Sequence, residues 1–297
     1  MVCPVCEREI VPVESRPARI ERENEIRESF VTERLGHRAE DPENMDLTKF
    51  MHGGPGRLLR CSCCGLISRD EETRAHYEDD LYDPALMKHL YPRYVRAFEQ
   101  KRPLYQPLLG NHAEVLEVGS HLGAFLQTAE EWGWRPTGLD IGAATSEFAR
   151  RQGGTVKRIS LDDYSPRLRR PEAIFIWNCF EQLEDPGATL RRARSMLDRH
   201  GLLVVRVPNA EFYLRERERE RGAGRRLLGY NNLLGFPYRF GYSRASLARV
   251  LAHSGFTPIS VYDSGLLTPP YPDLSPRIRQ EWKAVRERGG WIEMVCR

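Results

Sequence analysis

The sequence holds two stretches whose residue types and spacing could do chemistry. The first is "VLEVGSHLGAFL", residues 115–126, where Glu117 interrupts an apolar run and Gly119 and Gly123 flank His121. A glycine turn between an apolar strand and an apolar helix is the form of a nucleotide-type site, with the ligand across the carboxyl ends of parallel strands. A dinucleotide fingerprint would put glycine at position 121, so that the backbone could approach a pyrophosphate. Histidine blocks that approach, and the Glu117 carboxylate would repel phosphate. The stretch suits a cationic ligand that carries no phosphate.

The second is a pair of CxxC knuckles, "CPVC" (Cys3, Cys6) and "CSCCG" (Cys61, Cys64). A two-residue spacing lets both thiolates of a tight turn reach one tetrahedral zinc ion, and Gly65 fits such a turn. A site closed by four cysteines is structural, holding a module with too little core of its own. His37, His52 and Cys63 compete as ligands. Of the 7 cysteines, Cys179 and Cys296 lie far from this cluster, so a disulfide framework spread over the chain is excluded. The 54 residues between the knuckles exceed a minimal ribbon, and "ENEIRESFVTERLGHR" reads as a helix inserted in it.

These residues need a scaffold, and the apolar pattern supplies one. Strands are expected near 115–118, 136–140, 155–159, 173–178, 202–207, 257–263 and 291–296, and helices near 123–133, 144–152, 187–198 and 243–254. "AIFIWN" and "LLVVRV" are continuous apolar runs of the kind buried on both faces of a parallel sheet. The order predicts an α/β, doubly wound sheet with right-handed crossovers. Residues 1–75 read as the zinc-ribbon-like module, 76–111 as a tyrosine-rich helical linker, and 112–297 as the main domain. The linker helices either pack or close over a ligand at the end of the "VLEVG" strand.

Length and charge narrow the function classes. A chain of 297 residues fits one full-sized α/β domain plus something small. With 45 basic and 42 acidic residues the net charge is only +3, which argues against a nucleic-acid partner. No apolar stretch approaches the roughly 18 residues of a membrane span, and the start lacks the features of a secretory signal, so a cytoplasmic protein without a membrane partner is expected.

"EVGSHLG" resembles motif I, ExGxxxG, of the class I S-adenosylmethionine-dependent methyltransferases. The resemblance covers residues 112–297, and the cysteine-paired start is similar to the zinc-binding leader of some bacterial small-molecule and sugar methyltransferases. It implies a Rossmann-like seven-stranded sheet closed by an antiparallel pair, "GFTPISVYDS" and "GWIEMVC", with S-adenosylmethionine held by Glu117, Gly119, Ser120, His121, Gly123, Asp140, Ile141, Asp162 and Asn178. In that family Asp140, ending the second strand in "GLDIG", accepts the ribose hydroxyls, and Asp162 faces the adenine amino group. Asp163 is an equal candidate for that role. "FEQLEDP" and "VPN" are similar to the family's block between the fourth and fifth strands. Two departures stand out: Gln182 where relatives often have histidine, and "DRHGL" in place of a Pro-Gly-Gly turn.

Methyl transfer from a sulfonium already has a good leaving group, so the protein must align the acceptor and remove its proton. His121 and Glu181 are the candidate bases. His121 could equally serve packing, and Glu181 could be a helix-start acid. Gln182, with Asn209, Tyr230, Asn231, Asn232, Tyr238 and Tyr242 of the long insertion at 208–242, offers hydrogen bonds and stacking suited to a sugar. The expected activity is methylation, at oxygen, of a small molecule or glycan precursor. C-methylation of a nucleotide-linked sugar, ribbon-recruited RNA or protein methylation, and a non-catalytic scaffold are the alternatives.

Overall fold

The computed structural model describes residues 2–13, 58–69, 84–166, 169–218, 239–263, 280, 283 and 289–297. A seven-stranded sheet forms the centre, in the order β10-β11-β8-β7-β4-β5-β6. Its strands are β4 (Glu114–Val118), β5 (Arg135–Leu139), β6 (Val156–Lys157), β7 (Ala173–Trp177), β8 (Leu202–Pro208), β10 (Pro258–Tyr262) and β11 (Trp291–Cys296). β4 to β8 pair in parallel, whereas β11 runs antiparallel to both β8 and β10. The strands expected from the apolar runs are all present. β7 and β8 are buried along their whole length, as both-face coverage of a parallel sheet requires.

Helices α3 (Ala124–Glu131), α4 (Ala143–Arg151), α5 (Pro186–Met196) and α7 (Arg244–His253) fall where periodicity places them. Asp185 caps α5 through Ala188 N–H, with Pro186 at the first helical position, and Ser243 and Ser246 form a reciprocal cap on α7. The chain leaves β4 toward β5 and β6 on one side and returns to β7 and β8 on the other. The switch point thus lies between the carboxyl ends of β4 and β7, where such sheets bind ligands.

The linker forms two helices, α1 (Pro84–Glu99) and α2 (Arg102–Leu109). Phe98 and Tyr105 join Phe125, Trp132, Trp134, Phe175 and Trp177 in an aromatic core on one face of the sheet. Met87 and Leu90 of α1 pack with Leu122 and Phe148, above the glycine turn.

A second sheet has the order β1-β2-β3-β9, with β1 (Ile10–Pro12), β2 (Leu58–Cys61), β3 (Ile67–Arg69) and β9 (Phe240–Gly241). Its fourth strand comes from the end of the long insertion. The start of the insertion, α6 (Ala210–Glu218), lays Ala210 and Tyr213 against Leu58 and Ile67 of the same sheet. The described parts of the insertion and the amino-terminal ribbon therefore form one packed unit. The expected helix inside the ribbon, His37, His52, Tyr230, Asn231, Asn232 and Tyr238 lie outside the described residues.

Candidate active site

The glycine turn after β4 is built from left-handed backbone: Gly119 has φ 73°, His121 49° and Gly123 75°. Histidine tolerates this region better than most side chains, which lets residue 121 take a glycine-like place. Gly119 is needed for a close approach as well, since a Cβ there would lie 2.7 Å from Cys179 Sγ. Gly119 N–H and Ser120 N–H both donate to the Leu139 carbonyl, His121 N–H to Asp140 Oδ2 (2.7 Å) and Gly123 N–H to the Ser120 carbonyl. These four amides are satisfied within the protein rather than aimed outward at an anion.

Carboxyl groups line the strand ends beside this turn. Glu117 is 3% exposed and its Oε2 meets no donor among the described residues. Burial, and then the nearby Asp140, push its carboxyl well above the ordinary range. Asp140 is held by three donors: His121 N–H, Gly142 N–H (2.9 Å) and Thr145 Oγ1 (2.8 Å). A carboxylate offers about four lone-pair sites, so Asp140 Oδ2 keeps room for one more donor. Ile141, beside it, exposes 47% of its surface, and both Asp162 and Asp163 are exposed beyond β6.

Further buried atoms that meet no hydrogen-bond partner among the described residues lie at the same strand ends: Ser120 Oγ, Trp177 Nε1 and the Tyr242 hydroxyl, with the Glu181 carboxyl buried beside them. Folded proteins rarely leave such atoms unsatisfied, so this group at the strand ends makes the region the candidate ligand site. Glu181 sits in a single 3-10 turn, Phe180–Gln182, directly after β7. Burial raises its carboxyl to about 7, and the Arg206 guanidinium and the Gln182 amide offset only part of that rise. His121 moves the other way, to about 4, because burial disfavours its cation. Its ring packs edge-on against Tyr94 of α1 with centroids 5.9 Å apart.

The model of the methyltransferase domain family matches residues 86–261 of this sequence. The chain belongs to that family. It is a class I S-adenosylmethionine-dependent methyltransferase, with the sheet order that the glycine-turn motif implies. Solved structures share its fold. The plantazolicin methyltransferase BpumL, in complex with a pentazolic desmethylPZN analog and SAH, aligns with a TM-score of 0.50 at 12% identity, covering 93% of this chain and 98% of that one. A complex of the Haloferax volcanii Trm112 methyltransferase activator and its putative methyltransferase aligns with a TM-score of 0.53 at 16% identity, covering 72% and 93%. A SAM-dependent methyltransferase from Archaeoglobus fulgidus gives 0.51 at 15% identity, covering 72% and 99%. No curated protein matches the sequence.

The methyltransferase also contains a buried ionic network behind the crevice. Asn178, left-handed at φ 51°, presents Oδ1 to the Arg206 guanidinium. Arg206, 2% exposed, lies 3.9 Å from Glu293 and over the Trp291 ring at 5.3 Å. Glu293 also accepts from Lys101 (2.5 Å) and from the Tyr105 hydroxyl. Burial lowers the Arg206 pKa to about 10, against the pull of Glu293 and Glu181. Sequence reading assigned Arg206 and Glu293 no role. The available signal is a charge inside each continuous apolar run, "LLVVRV" and "WIEMVC", which a strand buried on both faces does not otherwise tolerate.

Other expected substrate contacts are placed as follows. Gln182 Nε2 donates to the Asn178 carbonyl at 2.8 Å. Asn209 donates to the Gly289 carbonyl and accepts from Glu211 N–H, tying β8 to α6 and to the approach of β11. Tyr242 is fully buried and stacks on Phe180 with centroids 5.2 Å apart.

In the ribbon, Cys3, Cys6, Cys61 and Cys64 converge with their Sγ atoms all within 4.8 Å of one another. The Cys3–Cys64 and Cys6–Cys61 separations are 3.6 and 3.4 Å. Sulfurs around a tetrahedral zinc stand about 3.8 Å apart for Zn–S bonds of about 2.3 Å, so this donor set fits that ion. The knuckles repeat one another: the residue after each second cysteine is left-handed, Glu7 at φ 56° and Gly65 at 77°. Burial opposes ionisation of Cys61, yet the N–H groups of Cys64 and Cys63, with the Cys6 thiol, bring it down to about 7. Two contacts carry the ribbon to the crevice. Arg239 N–H, beside β9, donates to the Glu181 carbonyl at 2.9 Å, and Gly187 of α5 approaches so closely that a Cβ there would lie 2.9 Å from the Pro4 carbonyl.

Proposed function

We propose that this methyltransferase transfers the methyl group of S-adenosylmethionine to a hydroxyl oxygen of a small molecule or glycan precursor, with Glu181 as general base. The observation that carries the reading is Glu181 itself, a carboxyl that burial raises to a pKa of about 7, at the strand end beside the glycine turn. A base works best when its pKa lies near the operating pH, because it is then both ionised and able to hold the proton it takes. His121, at about 4, is a poor proton acceptor for a hydroxyl and serves as packing at the turn.

When bound, S-adenosylmethionine supplies an electrophilic methyl on a sulfonium that leaves as a neutral thioether. Glu117 would hold its ammonium, Gly119 and Gly123 would allow close backbone contact, and the Ser120 hydroxyl, without a partner among the described residues, would be available to it. Asp140 would hold the ribose hydroxyls, Ile141 would border the adenine, and Asp162 or Asp163 would accept from its amino group. Asn178, fixed by Arg206, borders the methyl position. Glu181 takes the acceptor proton as the oxygen attacks, while Tyr242 and Gln182 orient the acceptor. The four cysteines hold structural zinc.

Incubating the protein with methyl-labelled S-adenosylmethionine and a panel of nucleotide sugars, glycans and RNA tests the reading. Label in a hydroxyl of a small acceptor supports it, and label confined to RNA rejects the substrate class.

A further inference from the structure

The ribbon carries donors beyond the four cysteines. Cys63, exposed between Cys61 and Cys64, and His253, exposed at the last residue of α7, form a second convergent group with Cys6, all three donor atoms within 4.8 Å of one another. Cys6 belongs to both groups. We propose that Cys6, Cys63 and His253 make a second zinc site, joined to the four-cysteine site through the Cys6 sulfur, which acts as a bridging thiolate.

Three observations support it. Two thiolates and an imidazole are a donor set for zinc rather than for hard cations. His253 Nδ1 donates to the Arg249 carbonyl at 2.8 Å, one turn back on α7. Metal-binding histidines make this kind of bond, which fixes the tautomer and leaves the other ring nitrogen its lone pair. The elements are also already seated together, since a Cβ on Gly65 would lie 3.4 Å from the Ser246 side chain of α7. Three protein donors leave a fourth position open, so this ion exchanges more readily than the closed one.

The second site has a structural consequence that the first lacks. Cys3, Cys6, Cys61 and Cys64 all belong to the ribbon, whereas His253 belongs to the helix that packs on the central sheet. An ion here ties the ribbon to the methyltransferase domain. Binding to the folded form alone raises stability with free zinc concentration.

The test is zinc stoichiometry on the full chain, by equilibrium dialysis over a range of free Zn2+, followed by release with a chelator of moderate strength. The native chain is expected to hold two ions, one lost early and one late, and its melting temperature rises as the early one loads. Cys63→Ser and His253→Gln are each expected to hold only the late ion, with no zinc-dependent rise. Both positions are exposed, and retention of the late ion reports that the ribbon remains folded. A native chain that holds one ion throughout, or variants that match the native stoichiometry, overturn the second site. A native chain that holds none overturns the four-cysteine reading as well.

Discussion

Arg206 on β8 grips the side-chain oxygen of Asn178 and so fixes a left-handed residue at the end of β7. The guanidinium is itself set by Glu293, which Lys101 and Tyr105 hold from the linker helices. The backbone at the end of β7 is thus referred to charges buried on the face of the sheet that the linker helices cover. Removing one partner of a buried pair costs about 3 to 5 kcal/mol because the other is stranded. For Arg206→Met the expected cost, by denaturant unfolding, falls near the lower figure, since Glu293 keeps two donors.

The raised carboxyl of Glu181 fixes the sign of two pH effects. Its folded pKa of about 7 stands above the ordinary 4.5, so the folded chain holds the proton between those values. The penalty for ionising it is absent below pH 4.5, grows as pH rises and is complete above about 7. That penalty is on the order of 3 kcal/mol. Glu181→Gln should therefore melt higher than the native chain at pH 8 and alike at pH 4. Methyl transfer should rise with pH to a plateau above about 7, and the variant should lose about 100- to 10,000-fold in kcat while S-adenosylmethionine still binds. An unchanged rate removes Glu181 from the chemistry.

Gly119 meets two constraints at once, a positive φ of 73° and the Cys179 sulfur. Gly119→Ala should cost about 1 to 2 kcal/mol from the backbone alone, with the clash in addition. Cys179→Ala in the same chain removes the sulfur but leaves its Cβ, 3.0 Å from the new methyl. It should restore part of the stability and not all. The two losses are then non-additive, which a thermal-melt cycle of the four proteins reads directly.

Removing the zinc proposed for the four-cysteine site should act on turnover more than on cofactor affinity. β9 is the last strand of the ribbon sheet, and Arg239 beside it bonds the Glu181 carbonyl, whereas the cofactor turn rests on β4, β5 and α4. Chelation, or Cys64→Ser, should lower kcat at least tenfold with S-adenosylmethionine affinity within threefold of native, as read by kinetics alongside calorimetry. Equal loss of both would mean that the ribbon supports the whole domain instead.

The main sheet was legible because its strands announce themselves locally. Runs such as "AIFIW" and "LLVVRV" are apolar throughout, and each is followed by a turn or capping residue that ends it. The acid-glycine turn was legible for the same reason. β9 was not, because two residues carry no period and its partner β3 lies far away in sequence. Nor was the union of the ribbon with the insertion, which the division at residue 75 separates: it rests on pairing and packing between segments remote in the chain. The donors that hold Asp140, His121 N–H among them, depend on how the turn folds back, which spacing does not reveal.

The strand ends beside the glycine turn are proposed to hold a positively charged adenosyl compound without phosphate. Isothermal titration of the native chain and of Glu117→Gln with S-adenosylmethionine, and of the native chain with NAD, measures this directly. A charge-assisted contact in a buried site contributes about 1.5 to 3 kcal/mol, so the substitution should weaken S-adenosylmethionine binding about 10- to 100-fold, and NAD should give no heat of binding. Binding of NAD, or equal affinity of the native and Glu117→Gln proteins for S-adenosylmethionine, would contradict it.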